Sequence, residues 1–379
     1  MENFEFLRDL ALLMMLSKVL EIFLQKYRIS KIVPYILTGM ILGPFVFGII
    51  RDSELITLCA KIGAVLLVFE AGLATRLSLL QHVPRPVIYI AGLSVLFSLF
   101  AGAIIYMIFY GFGPIGSENL LKGLFFGIIL SSTSLYSISR LRRQIGNVWN
   151  ITLNASVLNN MLVIVVLTLA LGVKINEANL FLILLRAVML VVLGYAAGLL
   201  LRSIVWFLED TFPRFQSPSI LYFSFALLLA YFSARYFGLP DVTGAYIAGI
   251  VLQALYGENP YQVKEMDCHS FFTSLFFIGI GLSTSLGSLD LRLLIFGLIL
   301  IVFGLTFKTA GSVLGAVIGK YDSSTSMRIG ICMMPEAELS LIAVWKGIEA
   351  GLLGGSFMIP VICLVFGSLF IFPNILKRM

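Results

Sequence analysis

The chain has 379 residues, 59% of them hydrophobic and only 12% charged, with a mean hydropathy of +1.02. Soluble globular domains are about 45–50% apolar and about 25% charged, so these values exclude a water-soluble fold and define an all-α polytopic membrane protein. The net charge of +6 is explained by where Lys and Arg sit in the loops, and it is not the footprint of a nucleic-acid-binding surface.

Windows of about 17 to 25 mainly apolar residues can each cross a ~30 Å hydrocarbon core. Thirteen windows predict helices at 4–25, 32–50, 55–80, 86–110, 119–143, 149–172, 179–206, 218–237, 241–256, 268–286, 291–318, 326–347 and 352–375. The window at 241–256 is short, and merging it with a neighbour gives twelve. Lys and Arg accumulate in short cytoplasmic loops. One alternate set of loops carries most of them, including Lys26, Arg28, Lys31, Arg140, Arg142, Arg143, Lys377 and Arg378. The other set carries only Arg51, Lys174, Arg235, Arg292 and Lys346. This asymmetry fits an odd count, with the N-terminus outside and the C-terminus cytoplasmic. The first window is long enough to insert by itself, so no cleavable signal is needed. No soluble regulatory domain is expected, and residues 1–379 form a single transmembrane domain.

In chain order, the polar positions inside these windows are the candidate chemistry, because an intramembrane charge costs several kcal/mol. Glu70 in the third window precedes Ala71-Gly72 and either faces a cavity or pairs with Arg76. The fifth window breaks at Ser131-Ser132-Thr133-Ser134. Backbone that leaves helical geometry at membrane depth survives only where protein encloses it or it lines a wet cavity. Thr133 there offers a hydroxyl and a freed carbonyl to a dehydrated monovalent cation, with Ser132 beside it; the alternative is hydroxyl back-bonding that merely kinks a helix. The amides Asn159-Asn160 in the sixth window demand hydrogen-bond partners. Asp241 after Pro240 reads as a helix cap. Lys308, midway along 291–318, is either a group that binds and releases a proton or half of a permanent ion pair. The twelfth window breaks at Met334-Pro335-Glu336-Ala337-Glu338, where Pro335 suits the first turn of a new half-helix. A carboxylate at Glu336 or Glu338 is then favoured by the helix dipole, and Glu338 is the preferred partner of Lys308 or cation ligand.

The breaks lie about two hundred residues apart, each in the middle window of three, which suits two inverted repeats over 86–172 and 291–375 with breaks near 131–134 and 333–338. Paired discontinuous helices in inverted repeats mark the binding site of secondary transporters. Cys59, Cys268, Cys332 and Cys363 lack metal-ligand spacing and read as buried thiols. His82 and His269 fall in loops. No nucleophile and base stand in register, so no enzyme and no bound cofactor are expected.

Several stretches in order resemble the bacterial monovalent cation/proton antiporters, in particular their thirteen-span branch. Leu37-Thr38-Gly39-Met40-Ile41-Leu42-Gly43-Pro44 is similar to the family's second-span pattern, and Gly72-Leu73 with Arg76 to its third-span stretch, with Ala74 in place of a glutamate. Thr133-Ser134 matches the first broken helix. Gly244-Ala245-Tyr246-Ile247-Ala248-Gly249, Phe276-Phe277 through Gly281-Leu282, and Lys308 with Gly315-Ala316 match later motifs. The resemblance implies a homodimer in the bacterial inner membrane, with a dimerisation domain and a core domain of two crossing broken helices that moves as an elevator. It also implies Na+ or K+ exchanged for H+.

Two departures concern the chemistry. The family carries an Asp-Asp, Asn-Asp or Gln-Asp pair in the sixth span whose second aspartate binds cation and proton competitively; here it is Asn159-Asn160. An amide ligates but cannot titrate. The family's Pro-Arg-Gly-Glu at the second break is Pro335-Glu336-Ala337-Glu338, with an acid in place of the base. The leading reading is therefore a cation site of Asn159, Asn160, Thr133 and Ser132, with Asn160 and Thr133 as cation ligands. Its relocated acid is Glu336 or Glu338, with Glu70 held as a further candidate and Lys308 as charge partner. Two alternatives stay open: an anion or organic-acid transporter built around an unopposed Lys308, and a sensor or assembly subunit that does not transport.

Overall fold

The computed structural model describes residues 2–26, 30–44, 46–50, 54–75, 83–113, 117–140, 142–176, 179–212, 218–257, 267–284, 290–336 and 338–376. Among these the regular structure is helical, with no strand. The helices are α1 (Glu2–Gln25), α2 (Ile32–Leu42), α3 (Glu54–Ala74), α4 (Arg85–Tyr110), α5 (Glu118–Ser131), α6 (Leu135–Arg140), α7 (Trp149–Asn176), α8 (Leu180–Thr211), α9 (Ser219–Arg235), α10 (Asp241–Tyr256), α11 (Asp267–Leu282), α12 (Leu291–Ile318), α13 (Ser323–Cys332), α14 (Glu338–Glu349) and α15 (Met358–Leu376). Each predicted window holds helix. Seven described helical stretches are long and apolar enough to cross a membrane, and four more apolar helices are shorter. The short window at 241–256 is α10 itself. Gly238, with φ of 60°, and Pro240 separate it from α9, so it does not merge with its neighbour.

The chain divides into two compact units, Met1–Thr57 with Val83–Leu167 and Phe277–Met379, and Leu58–His82 with Thr168–Phe276. The second unit explains the Gly244–Gly249 motif as helix packing. A Cβ on Gly244 would sit 2.1 Å from the Leu229 carbonyl oxygen, and one on Gly249 2.3 Å from that of Phe69. Small residues let apolar helices approach to backbone contact. Thr168 and Thr243 bond across this unit at 2.8 Å, as do Thr75 and Tyr246 at 2.9 Å. Asp241 opens α10 and accepts the Val242 N–H at 2.8 Å. Much of α8 is apolar and exposed, with Val188, Val192, Leu200 and Trp206 facing outward.

In the first unit α4 is held against α5 and α12 by the same device. A Cβ on Gly102 would lie 2.0 Å from the Gly127 nitrogen, and one on Gly127 2.4 Å from Leu99 Cα; Gly315 stands as close to Tyr89 and Ile90. Backbone atoms cannot swing aside as a side chain can. Gly127→Ala is therefore expected to lower the thermal midpoint of the purified protein by the equivalent of about 1–3 kcal/mol or more, and an unchanged midpoint would refute this packing.

Helix α12 contains a π-helical turn at Leu300–Gly304. Such bulges occur frequently at functional sites, and Lys308 comes one turn later. Gly304 seats α12 against Leu130 near the end of α5; a Cβ there would lie 2.5 Å from Leu130 Cδ2. Beneath the second break, Ile138, Ala155, Ile329, Cys332, Met333 and Phe372 form one apolar cluster. Asp322 caps α13, accepting the Thr325 N–H at 3.0 Å, and its hydrogen bonds with the Thr325 side chain and backbone hold its carboxyl below the ordinary range. Among the thiols, Cys332 is buried but Cys363 is exposed, because it lies on an outward apolar face of α15.

Candidate functional site

Helix α5 ends at Ser131, Ser132 is extended (φ −68°, ψ 154°), and α6 begins at Leu135. Helix α13 ends at Cys332 and α14 starts at Glu338, with Met334–Glu336 outside any helix. The two breaks meet. The Ser134 N–H donates to the Pro335 carbonyl at 2.8 Å, and the Thr133 hydroxyl to that of Met333 at 3.2 Å.

Lys308 and Glu336 lie at this crossing with no exposed surface, Nζ 2.6 Å from Oε1. A buried charge is tolerable only when it is paired and hydrogen-bonded, and both conditions are met. Lys308 Nζ also donates to the Ser132 carbonyl. Glu336 Oε2 accepts the hydroxyls of Ser132 at 2.9 Å and Ser340 at 2.8 Å, and the Glu336 N–H donates to Ser368 Oγ at 2.9 Å. Ser340 stands in the first turn of α14 and reaches back across the break to Glu336. Ser368 arrives from α15, and neither serine carries a signal in the sequence.

The paired amides face the first break. Asn160 Oδ1 accepts the Thr133 N–H at 2.8 Å, and its Nδ2 donates to the Thr133 carbonyl at 2.8 Å. Asn159 Nδ2 donates to the Ser131 carbonyl at 2.6 Å and reaches the Thr133 hydroxyl at 3.3 Å. Asn159 Oδ1 is fully buried and has no hydrogen-bond partner among the described residues. A buried acceptor left unpaired costs about 1–3 kcal/mol, so this oxygen is the acceptor here best suited to a cation.

The structure thus brings together Ser132, Thr133, Asn159, Asn160, Lys308 and Glu336. The expectation that Glu338 partners Lys308 is corrected: Glu336 does, because it lies in the non-helical segment that meets the first break, whereas Glu338 already opens α14. The anion reading loses its basis, since Lys308 is not an unopposed cation. Glu70 lies on α3, partly exposed, within the second unit. Its expected partner Arg76 lies outside the described residues, as do His82, Ala337 and the side chains of Cys268 and His269.

Two half-helix pairs crossing at a buried polar cluster define a membrane transporter of the discontinuous-helix class rather than an enzyme. The model of the family described as sodium/hydrogen exchanger, transmembrane, matches residues 11–379. The chain belongs to that family. It is 28% identical to a Na(+)/H(+) antiporter of Enterococcus hirae, covering 98% of this chain and 97% of that one. It is 26% identical to the Na(+)/H(+)-K(+) antiporter GerN of Bacillus cereus, covering 99% and 96%. Its fold matches the sodium proton antiporter MjNhaP1 of Methanocaldococcus jannaschii with a TM-score of 0.78 at 20% identity, over 100% of this chain and 99% of that one.

Proposed function

We propose that the chain is a Na+ or K+/H+ antiporter whose exchangeable proton belongs to the Lys308–Glu336 pair. The carrying observation is that buried pair, 2.6 Å apart at the crossing of the two breaks. Strongly interacting groups titrate as a unit, so ammonium with carboxylate and amine with carboxylic acid are two forms of one singly protonated pair. A cation that enters binds the Glu336 carboxylate and the unpaired Asn159 Oδ1, with the Ser132 and Ser340 hydroxyls in reach of the same carboxylate. The pair then loses its proton. Before exchange the pair is net neutral; afterwards carboxylate, amine and cation also sum to zero. One cation therefore replaces one proton.

The resulting cycle is an elevator in which the core carries the site across the membrane, assembled as a homodimer in the plasma membrane with the N-terminus outside and the C-terminus cytoplasmic. The antiporter relatives support the exchange, and the charge pattern of the loops supports the orientation.

In proteoliposomes carrying an interior pH dye, an imposed Na+ or K+ gradient is expected to move protons the opposite way at a rate unaffected by clamping the membrane potential. Flux that tracks the potential would refute the one-for-one count. No heat of cation binding with Na+, K+ or Li+ between pH 6 and 9 would favour the non-transporting reading.

A further inference from the structure

We infer that Asn160 is a positioning residue that clamps the broken backbone at Thr133, and that it is not a cation ligand. This inference rests on the exchange reading above but not on the identity of the ion. A break at membrane depth frees backbone groups that must all find partners inside the protein. Here the partners can be followed one by one. The Ser131 carbonyl receives Asn159 Nδ2, the Ser132 carbonyl receives Lys308 Nζ, and the Ser134 N–H reaches the Pro335 carbonyl. Thr133 presents both a free N–H and a free carbonyl, and the Asn160 side chain meets both at 2.8 Å.

An amide offers an acceptor and a donor side by side at every pH, whereas an ionised carboxylate offers only acceptors. An amide rather than an acid at position 160 thus makes a backbone clamp of what would otherwise be a titrating position. The Asn160 oxygen holds the Thr133 N–H and the Thr133 carbonyl holds the Asn160 amide in return, so a cation drawing on either oxygen would compete with the clamp, whereas Asn159 Oδ1 carries no such bond. In this reading the ion's amide ligand is Asn159 Oδ1, which has no hydrogen-bond partner among the described residues, rather than Asn160 or Thr133. The charged side chains bonded into the same network are Lys308 and Glu336.

The test is Asn160→Asp beside Asn160→Ala, each purified and reconstituted as the full chain. The ionised carboxylate introduced by Asn160→Asp would set an oxygen against the Thr133 carbonyl, so the maximal exchange rate is expected to fall roughly tenfold or more while the cation KM changes little. The thermal midpoint should fall with it. Both should recover toward acid pH, where a protonated carboxyl donates to that carbonyl again. Asn160→Ala should lose the same rate at every pH, with faster hydrogen exchange at the Thr133 amide. A variant Asn160→Asp that exchanges faster, or binds Na+ or K+ more tightly at alkaline pH, would overturn the clamp, since that is what restoring a lost ligand does. The midpoint and the amide exchange need no transport, so they judge the clamp even where Glu336→Gln shows that the proton resides elsewhere.

Discussion

Glu336→Gln is expected to abolish proton-coupled cation exchange, whereas Glu338→Gln exchanges at the parent rate. The glutamine keeps an oxygen for the Ser132 and Ser340 hydroxyls but cannot share a proton with Lys308. It also leaves an ammonium with no counter-charge at a site with no exposed surface. Removing one partner of a buried ion pair destabilises a protein by about 3–5 kcal/mol, so the single variant should melt at a lower temperature as well as fail to exchange. Lys308→Met combined with Glu336→Gln removes both charges and should recover most of that stability without any recovery of exchange. The double variant thereby separates a lost proton site from a misfolded protein. Normal exchange in Glu336→Gln, measured with an interior pH dye, would eliminate the relocated acid.

Asn159→Ala is expected to raise the KM for the transported cation by about 10- to 100-fold, the equivalent of the 1.5–3 kcal/mol of one hydrogen-bond-strength contact to a charged group. The maximal rate should change much less. Asn159 Oδ1 is the buried acceptor at the crossing that lacks a partner, while its Nδ2 caps the end of α5 at the Ser131 carbonyl. Truncation removes both an acceptor the cation uses and a cap the helix uses. The cap loss shows as a lower thermal midpoint, the acceptor loss as weaker cation binding by calorimetry. An unchanged KM with a lowered midpoint would assign Asn159 to the helix end alone. The contrast with Asn160 is sharp: at position 159 the cation affinity should move, and at position 160 the maximal rate.

Much of the architecture follows from composition and pattern. The thirteen apolar windows hold helices α1 to α15, with the fifth and twelfth windows each divided by a break. Those breaks are readable in the chain because four hydroxyl residues in a row at Ser131–Ser134 exceed what a kink needs, and a proline followed by acids suits the first turn of a new half-helix. The motifs Leu37–Pro44 and Gly244–Gly249 are readable because close helix contact requires small residues. Lys308, Asn159 and Asn160 stand out because isolated polar groups in apolar windows need partners.

What one dimension leaves open is which partner each group takes. Lys308 had two acids to choose between, two residues apart, and the choice of Glu336 depends on the path of the non-helical segment between α13 and α14. The amides likewise looked alike in sequence. Only the fold, by placing the Thr133 backbone opposite one and leaving the oxygen of the other without a hydrogen-bond partner among the described residues, gives the neighbours different roles. Hydrophobic periodicity sets which segments are buried, because transfer from water depends on composition and hardly on direction. Hydrogen bonds and ion pairs depend on distance and angle to a fraction of an ångström, and those are set by how the helices cross.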